Sequence, residues 1–236
     1  MHLPHAFRQS KPGRHGKLVQ SAAALLTLVL ITLAGVSQGR ADQLFNPGAV
    51  AVTGFSGTRQ EAGANPGGDP AEHTVIETAA TTVRVFDTAN MQGPAQGQVP
   101  DIPTVFQARA DQVGQVFGVA FDDGKGPDGK GSGAPNIYVS ATSAFGLSLV
   151  MPDEGGQVKH VKDGQPGATF MKGQWGAADT AGPGSVWKID GSTGAVSLFA
   201  NIQQGGQDNP AAGLGNLAFD PRTRQLFVSD LSTGMI

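Results

Sequence analysis

A pair of strand-like phrases occurs twice in this chain, and the repetition constrains the fold more than any other feature. Val119-Ala-Phe-Asp122 recurs as Leu217-Ala-Phe-Asp220, and Ile137-Tyr-Val-Ser140 recurs as Leu226-Phe-Val-Ser229. Gly146-Leu147 and Gly234-Met235 close the two copies. The first copy has a loop nine residues longer, filled by Asp123-Gly-Lys-Gly-Pro-Asp-Gly-Lys-Gly-Ser-Gly133. A second echo relates Thr82-Val-Arg-Val-Phe-Asp87 and Val105-Phe-Gln-Ala108 to Ser185-Val-Trp-Lys-Ile-Asp190 and Ser197-Leu-Phe-Ala200. Each phrase is a short run of β-branched and aromatic residues ended by Gly, Asp, Asn, Ser or Pro, which is how strands and their turns read in sequence.

Interleaved, the phrases give a four-strand unit in fixed order: Val-Ala-Phe-Asp, Ile-Tyr-Val-Ser, Val-Trp-Lys-Ile-Asp, Val-Ser-Leu-Phe-Ala. Apolar residues fall on both faces of these strands, so each sheet must be covered on both sides. A stack of such four-stranded blades is how a β-propeller meets that requirement. Outside the N-terminal leader no segment has a period of 3.6, so the chain is expected to be all-β.

Residues 1–41 read as a signal peptide, 42–111 as N-terminal strands and loops with a partial first blade, and 112–236 as blades. Strands are expected at Ala49–Phe55, within Thr74–Asp87 and at Thr104–Arg109, with loops at 57–72 and 88–103. Ala49–Phe55 is the strand expected to complete a last blade. The matched phrases lie 89 and 98 positions apart, whereas blade repeats usually run about 40–50 residues. Residues 148–183 therefore interrupt one blade, as an inserted rim loop or as a degenerate extra blade. One unit ends, one is whole and a third is half built by Ile236, which leads us to expect an N-terminal part of a longer propeller.

The leader carries Arg8, Lys11, Arg14 and Lys17 and no acid, followed by an apolar run from Ser21 to Val36 and Gly39-Arg40-Ala41 before Asp42. Basic region, apolar core and small residues at the cleavage point are the parts of a secretory signal. The run is short beside the ~20 residues that span a bilayer. Cleavage after Ala41 leaves 11 basic against 19 acidic residues, a net charge of about −8. That charge disfavours nucleic acid and anionic membrane surfaces as partners. The chain has no cysteine, so no disulfide framework supports it in the periplasmic or extracellular space to which the leader directs it.

The phrases Gly215-Asn-Leu-Ala-Phe-Asp-Pro-Arg-Thr-Arg-Gln-Leu-Phe-Val-Ser-Asp230 and Gly184-Ser-Val-Trp-Lys-Ile-Asp190 resemble the six-bladed propeller superfamily. That group includes NHL-repeat, strictosidine-synthase-like and regucalcin/gluconolactonase-type proteins, and a class of exported bacterial proteins with such blades. The resemblance covers 112–236 well and 44–111 weakly. It implies an incomplete six-bladed propeller; the leader, the repeats and the lack of a catalytic constellation lead us to expect an exported binding or scaffold module for a small molecule or an envelope or extracellular protein. It also implies an alternative activity, that of a metal-dependent lactonase. The lactonase branch holds its divalent metal with Glu, Asn and Asp, one of them the Asn of a Pro-Asn-Gly before a blade strand. Here the matching dipeptides are Gly215-Asn216 and Phe117-Gly118, so that pattern is not met.

The acids Asp122, Asp123 and Asp128 among glycines, together with Asp230, are the candidates for a divalent cation such as Ca. Calcium takes about six to eight oxygens, and the alternate-acid loop with a terminal Glu is missing. A solvated hairpin is the simpler reading of 122–133. Lys125 and Lys130 are not followed by Ser or Thr, as a phosphate-binding loop requires. His73 and His160, the two histidines outside the leader, have no Cys beside them and read as surface residues. No Gly-x-Ser-x-Gly elbow is present, and Ser185 reads as a strand start. Asp190 and Asp220 read as turn-setting residues, as does Asp230, which could alternatively line a channel. Trp187, Tyr138 and Phe227 read as packing between blades, as does Trp175, which could instead edge a binding rim. No catalytic constellation emerges. Expression in an export-competent bacterial host should release a chain whose intact mass starts at Asp42; a retained leader would refute the cleavage point.

Overall fold

The computed structural model describes residues 45–61, 67–96, 99–126, 128–131, 133–152, 158–210 and 212–236. The leader, 1–41, lies outside the described residues. The strands follow the chain as β1 (Ala49–Thr53), β2 (Thr58–Gln60), β3 (Thr74–Ile76), β4 (Thr81–Asp87), β5 (Gln92–Gln96), β6 (Val99–Asp101) and β7 (Thr104–Arg109). After the one-turn helix α1 (Ala110–Val113) come β8 (Val116–Phe121), β9 (Ile137–Ala141), β10 (Leu149–Pro152), β11 (Val158–His160) and β12 (Thr169–Phe170). The chain continues through β13 (Ser185–Ile189), β14 (Val196–Asn201), β15 (Gln203–Gln204), β16 (Gln207–Asp208), β17 (Leu214–Asp220) and β18 (Gln225–Asp230). No helix among the described residues is long and apolar enough to cross a membrane.

The fold is all-β and antiparallel. Three sheets carry the repeat: β1-β4-β7, β8-β9-β13-β14 and β17-β18. The second contains the four phrases in the order read from sequence. Its first pair and the third sheet share one register: Val119, Ala120 and Phe121 face Val139, Tyr138 and Ile137, while Leu217, Ala218 and Phe219 face Val228, Phe227 and Leu226. Both pairs slip at the same place, between Val116 and Val119 and between Leu214 and Leu217. The second echo holds as well, since Val83 opposite Ala108 matches Val186 opposite Ala200.

Ala49–Phe55 stands differently from its expected role. Residues 49–53 pair with β4, Thr53 opposite Val83 as Ser140 stands opposite Val186, so β1 is the second strand of the first sheet and its outer edge. The loops at 57–72 and 88–103 also need correction. β2 pairs with β3, and β5 with β6, as short hairpins. Strands of three to five residues have too few positions for alternation to show. Residues 148–183 are more than loop, because β10 pairs with both β11 and β12.

The main core lies between the first two sheets, where Val83, Val85 and Ala108 meet Ile137, Val139, Trp187 and Ile189. A second core joins Ala120, Tyr138 and Val186 to Leu214 and Leu217. Strand alternation accounts for both: Ile137 and Val139 point one way, Tyr138 and Ser140 the other. Two matched hydrogen bonds pin the stack. Thr53 Oγ1 donates to Phe117 O at 2.8 Å, and Ser140 Oγ donates to Gly215 O at 2.6 Å. Phe117 and Gly215 are equivalent positions in the repeat, so the same hydroxyl of each sheet fastens the first strand of the next.

At Gly118 the second and third sheets approach each other closely. A Cβ there would sit 2.5 Å from both Gly215 O and Ser140 Oγ and 2.9 Å from Asn216 Cα. Overpacking of this kind costs about 1–3 kcal/mol, and each kcal/mol lowers Tm by about 2–4 °C in a chain of this size. Gly118→Ala should therefore melt several degrees below the parent. Ser140→Ala, which orphans one buried carbonyl, should cost about 1 kcal/mol. Thermal melts by circular dichroism read both, and an unchanged Tm for Gly118→Ala would contradict the close packing.

Candidate functional site

The candidate acids serve the turns. Asp122, at the end of β8, accepts from the main-chain N of Gly124 and Asn136 at 2.9 and 2.8 Å on one oxygen. On the other it accepts from Asn136 Nδ2 at 2.7 Å and the Tyr138 hydroxyl at 3.2 Å. A carboxylate has about four lone-pair directions, and here all four are engaged by the protein. Asp123 takes two contacts from Arg224 Nη1, at 2.9 and 3.1 Å, and Arg224 Nη2 also donates to Lys125 O. Asp128 accepts from Lys130 N at 3.0 Å. Asp230 accepts from Asn209 Nδ2, Ser232 N and Thr233 Oγ1 at 2.8, 2.9 and 3.0 Å. Asp230 ends β18 beside Leu214, at the other end of its hairpin from Asp220, the residue that matches Asp122. The four candidates are not brought together. Among the described residues no three His, Cys, Asp or Glu side chains are grouped to hold a metal.

A turn cassette explains several of these acids. In Asp190-Gly-Ser-Thr-Gly194, Asp220-Pro-Arg-Thr-Arg224 and Asp230-Leu-Ser-Thr-Gly234 the Asp carboxylate accepts from the amide two residues on and from the Thr hydroxyl. The fifth residue donates its N to the Asp carbonyl and has φ of 72°, 59° and 70° respectively. Glycine fits that left-handed region without strain, whereas Arg224 is a non-glycine residue held there. Its guanidinium is the group that joins the β17–β18 turn to Asp123 of the neighbouring sheet. Burial disfavours the charge on Asp123, yet the Lys125 amide, the Arg224 guanidinium and the Lys125 ammonium hold its carboxyl below the ordinary value. At Asp220 the Thr223 hydroxyl and then the Arg222 amide do the same.

Sequence reasoning did not foresee two other groupings. Glu61 lies 3.6 Å from His73 Nδ1 and also accepts from the main-chain N of His160, so one acid reaches both histidines. Their separation in sequence, and the absence of any shared pattern, hid this. Beside the inserted sheet two adjoining hollows of about 220 and 360 Å³ share Lys172, Gly173, Gly176 and Ala177. Arg109 and Asp111 line one, Phe170 and Trp175 the other. Trp175 is 5% exposed, its ring edge-on to Phe170 with centroids 5.6 Å apart. Its carbonyl accepts from Trp187 Nε1 at 3.0 Å, while its own Nε1 has no partner among the described residues.

Of the aromatic residues expected between blades, Trp187 and Tyr138 are buried there, and Trp175 is buried in the insertion. Phe227 is 45% exposed. It stands at the position of Tyr138, on the side of β18 that no described sheet covers. On the first sheet Val50 and Val52 are 45% and 49% exposed, at the positions of the buried Ile137 and Val139. Among the described residues, no sheet covers these two faces, which are of opposite sense. No family profile, no curated protein and no solved structure matches the chain.

Tyr138, the one tyrosine of the chain, reports on the buried junction. Burial, then the charge of Asp122 and the hydrogen bond to it, push its hydroxyl up to about 12. A raised folded value means that Tyr138 favours folding below the ordinary value of about 10, and that this contribution is lost as pH climbs through 10 to 12. Absorbance at 295 nm should show a midpoint near 12 in native protein and near 10 in denaturant. A native midpoint near 10 would place Tyr138 in water instead.

Proposed function

We propose that the chain is an exported binding or scaffold module whose sheets are propeller-type blades and whose partners are recognised by exposed sheet surface. The observation that carries this reading is the exposure, among the described residues, of Phe227, Val50 and Val52 at positions whose counterparts Tyr138, Ile137 and Val139 are buried. Exposed apolar groups clustered in this way mark surfaces for association. The engagement of Asp122, Asp123 and Asp230 with amides, hydroxyls and a guanidinium fits acids that shape loops. Export rests on the leader of residues 1–41, and the acidic charge of the remaining chain fits partners other than nucleic acid.

A second reading is favoured by one observation, the unpartnered indole N–H of Trp175 beside the two hollows. A small polar molecule that accepts from that group would make residues 170–177 a binding rim. The alternative activity, metal-dependent lactone hydrolysis, requires Glu, Asn and Asp ligands that converge. Both catalytic and binding readings can be tested together on purified protein. Hydrolysis of a panel of aliphatic and aromatic lactones, with and without Ca²⁺ or Zn²⁺, should not exceed the buffer rate. Metal-dependent turnover that is abolished by chelator would refute the non-catalytic reading.

A further inference from the structure

Three polar side chains on the wall of one hollow have groups that no described residue engages. The hollow of about 220 Å³ beside the inserted sheet is lined by Lys172, Trp175 and Asp179, with Phe170, Ala178 and Ala181 among its apolar parts. Trp175 is 5% exposed, and its Nε1–H is buried without an acceptor. Buried donors left in that state are costly and few in folded proteins. Lys172 and Asp179 are exposed, and neither side chain makes an ion pair or a hydrogen bond among the described residues, with the other or with any third group. The adjoining hollow differs. There Arg109 is held by both oxygens of Asp111, at 2.9 and 3.0 Å, which leaves Lys172, shared by the two hollows, as its free charge.

We infer that the hollow binds a small zwitterion of the α-amino-acid kind, which rests on and deepens the reading of residues 170–177 as a binding rim. Its carboxylate accepts from the Trp175 N–H and pairs with Lys172, its ammonium pairs with Asp179, and an apolar side chain lies toward Phe170 and Ala178. The charges of the wall select this class. A simple anion would meet Asp179, and a simple cation would meet Lys172 and leave the indole N–H unpaired. Size agrees, because pockets for drug-sized ligands begin at about 300 Å³ and this one is smaller. The indole N–H is shut off from solvent, so the carboxylate reaches it only as the surrounding wall shifts. Residues 171–181 are turns and irregular chain between β12 and β13. Two of the main-chain bonds that hold them, from Gly176 N to Gly173 O and from Ala177 N to Gln112 O, are long at 3.3 Å. The wall is therefore lightly tied where it has to yield.

The chain has two tryptophans, so a ¹⁵N-labelled sample of the full chain, purified after export, gives two indole signals that Trp175→Phe assigns. Glycine, L-alanine and L-leucine should each move the Trp175 indole proton downfield in a saturable way. The Trp187 signal, already bonded to the Trp175 carbonyl, should stay in place. By calorimetry, Lys172→Ala and Asp179→Ala should each weaken L-leucine about tenfold, the loss of one charge-assisted contact. Both positions are exposed, and melts will show whether the variants fold; Lys172→Gln and Asp179→Asn stand in if either does not. Acetate, methylamine and glucose complete the panel. Acetate that binds as tightly as the amino acids and is indifferent to Asp179→Ala overturns the zwitterion and leaves the rim reading standing. Amino-acid binding that survives both charge variants, or that moves the Trp187 signal alone, overturns the site. If no member of the panel moves the Trp175 signal, the rim reading falls with it. Lactone turnover is separate from all of these, so failure here leaves the non-catalytic reading to its own assay.

Discussion

Everything in this stack depends on how closely one sheet can approach the next. At Gly118 the main chains of β8 and β17 come near enough to exclude even a methyl group, and the Ser140 hydroxyl reaches the carbonyl of Gly215 across the gap. The hydrogen bond contributes only about 1 kcal/mol net. Its larger effect is on register, because it binds one atom of each sheet to one atom of its neighbour. Thr53 and Phe117 repeat the arrangement at the other junction. Around these points the area-proportional hydrophobic term acts on Ile137, Val139, Trp187 and Ile189 on one side and on Tyr138, Leu214 and Leu217 on the other. With no cysteine in the chain, no disulfide adds to these two cores.

The acids illustrate how the same residue types can serve a metal or a loop. A cation site leaves carboxylate oxygens pointing at a common empty point. Here the oxygens of Asp122, Asp123 and Asp230 accept from amides, hydroxyls or a guanidinium of the protein. The consequence for pH is the reverse of that at Tyr138. Asp190 is partly desolvated, which disfavours its charge, yet the Thr193 hydroxyl and amide and the Ser192 amide hold its carboxyl below the ordinary value. Asp123, Asp190 and Asp220 therefore favour folding above the unfolded carboxylate range, and that contribution disappears as acid protonates them. The stack is thus trimmed at both ends of the pH scale by different groups.

Much of the architecture was legible because repetition reports pairing as well as propensity. Val119-Ala-Phe-Asp122 and Leu217-Ala-Phe-Asp220 share residues, register and even the position of a bulge, so comparing the two copies sufficed to order four strands. The short hairpins were hidden: Thr58–Gln60 is three exposed residues and offers no alternation to read. β1 misled for a different reason. Its composition marks a strand, but strand composition says nothing about which sheet receives it, and the pairing of Thr53 with Val83 decides that. The candidate site was the least legible part. Asp-rich, Gly-rich loops look alike whether they bind calcium or their own amides, and the difference lies in oxygen directions that only coordinates supply. The exposure of Phe227 could not be seen at all, since Phe227 and Tyr138 are interchangeable in sequence and differ in whether a described neighbour covers them.

The segment between β9 and β13 leaves the second sheet after Ala141 and returns at Ser185, beside residues that are already hydrogen-bonded partners, Ser140 and Val186. Its two ends therefore meet at one rung of a ladder that would exist without it. Length added there strains no pairing and costs only the slowly growing entropy of closing a longer loop. The rung is a graft point. New sequence can be spliced in and shaped by its own small sheet, then tied down by a few anchors such as the bond from Trp187 to the Trp175 carbonyl, while the frame beneath keeps its registration. That segment can be rewritten without disturbing the ladder from which it springs.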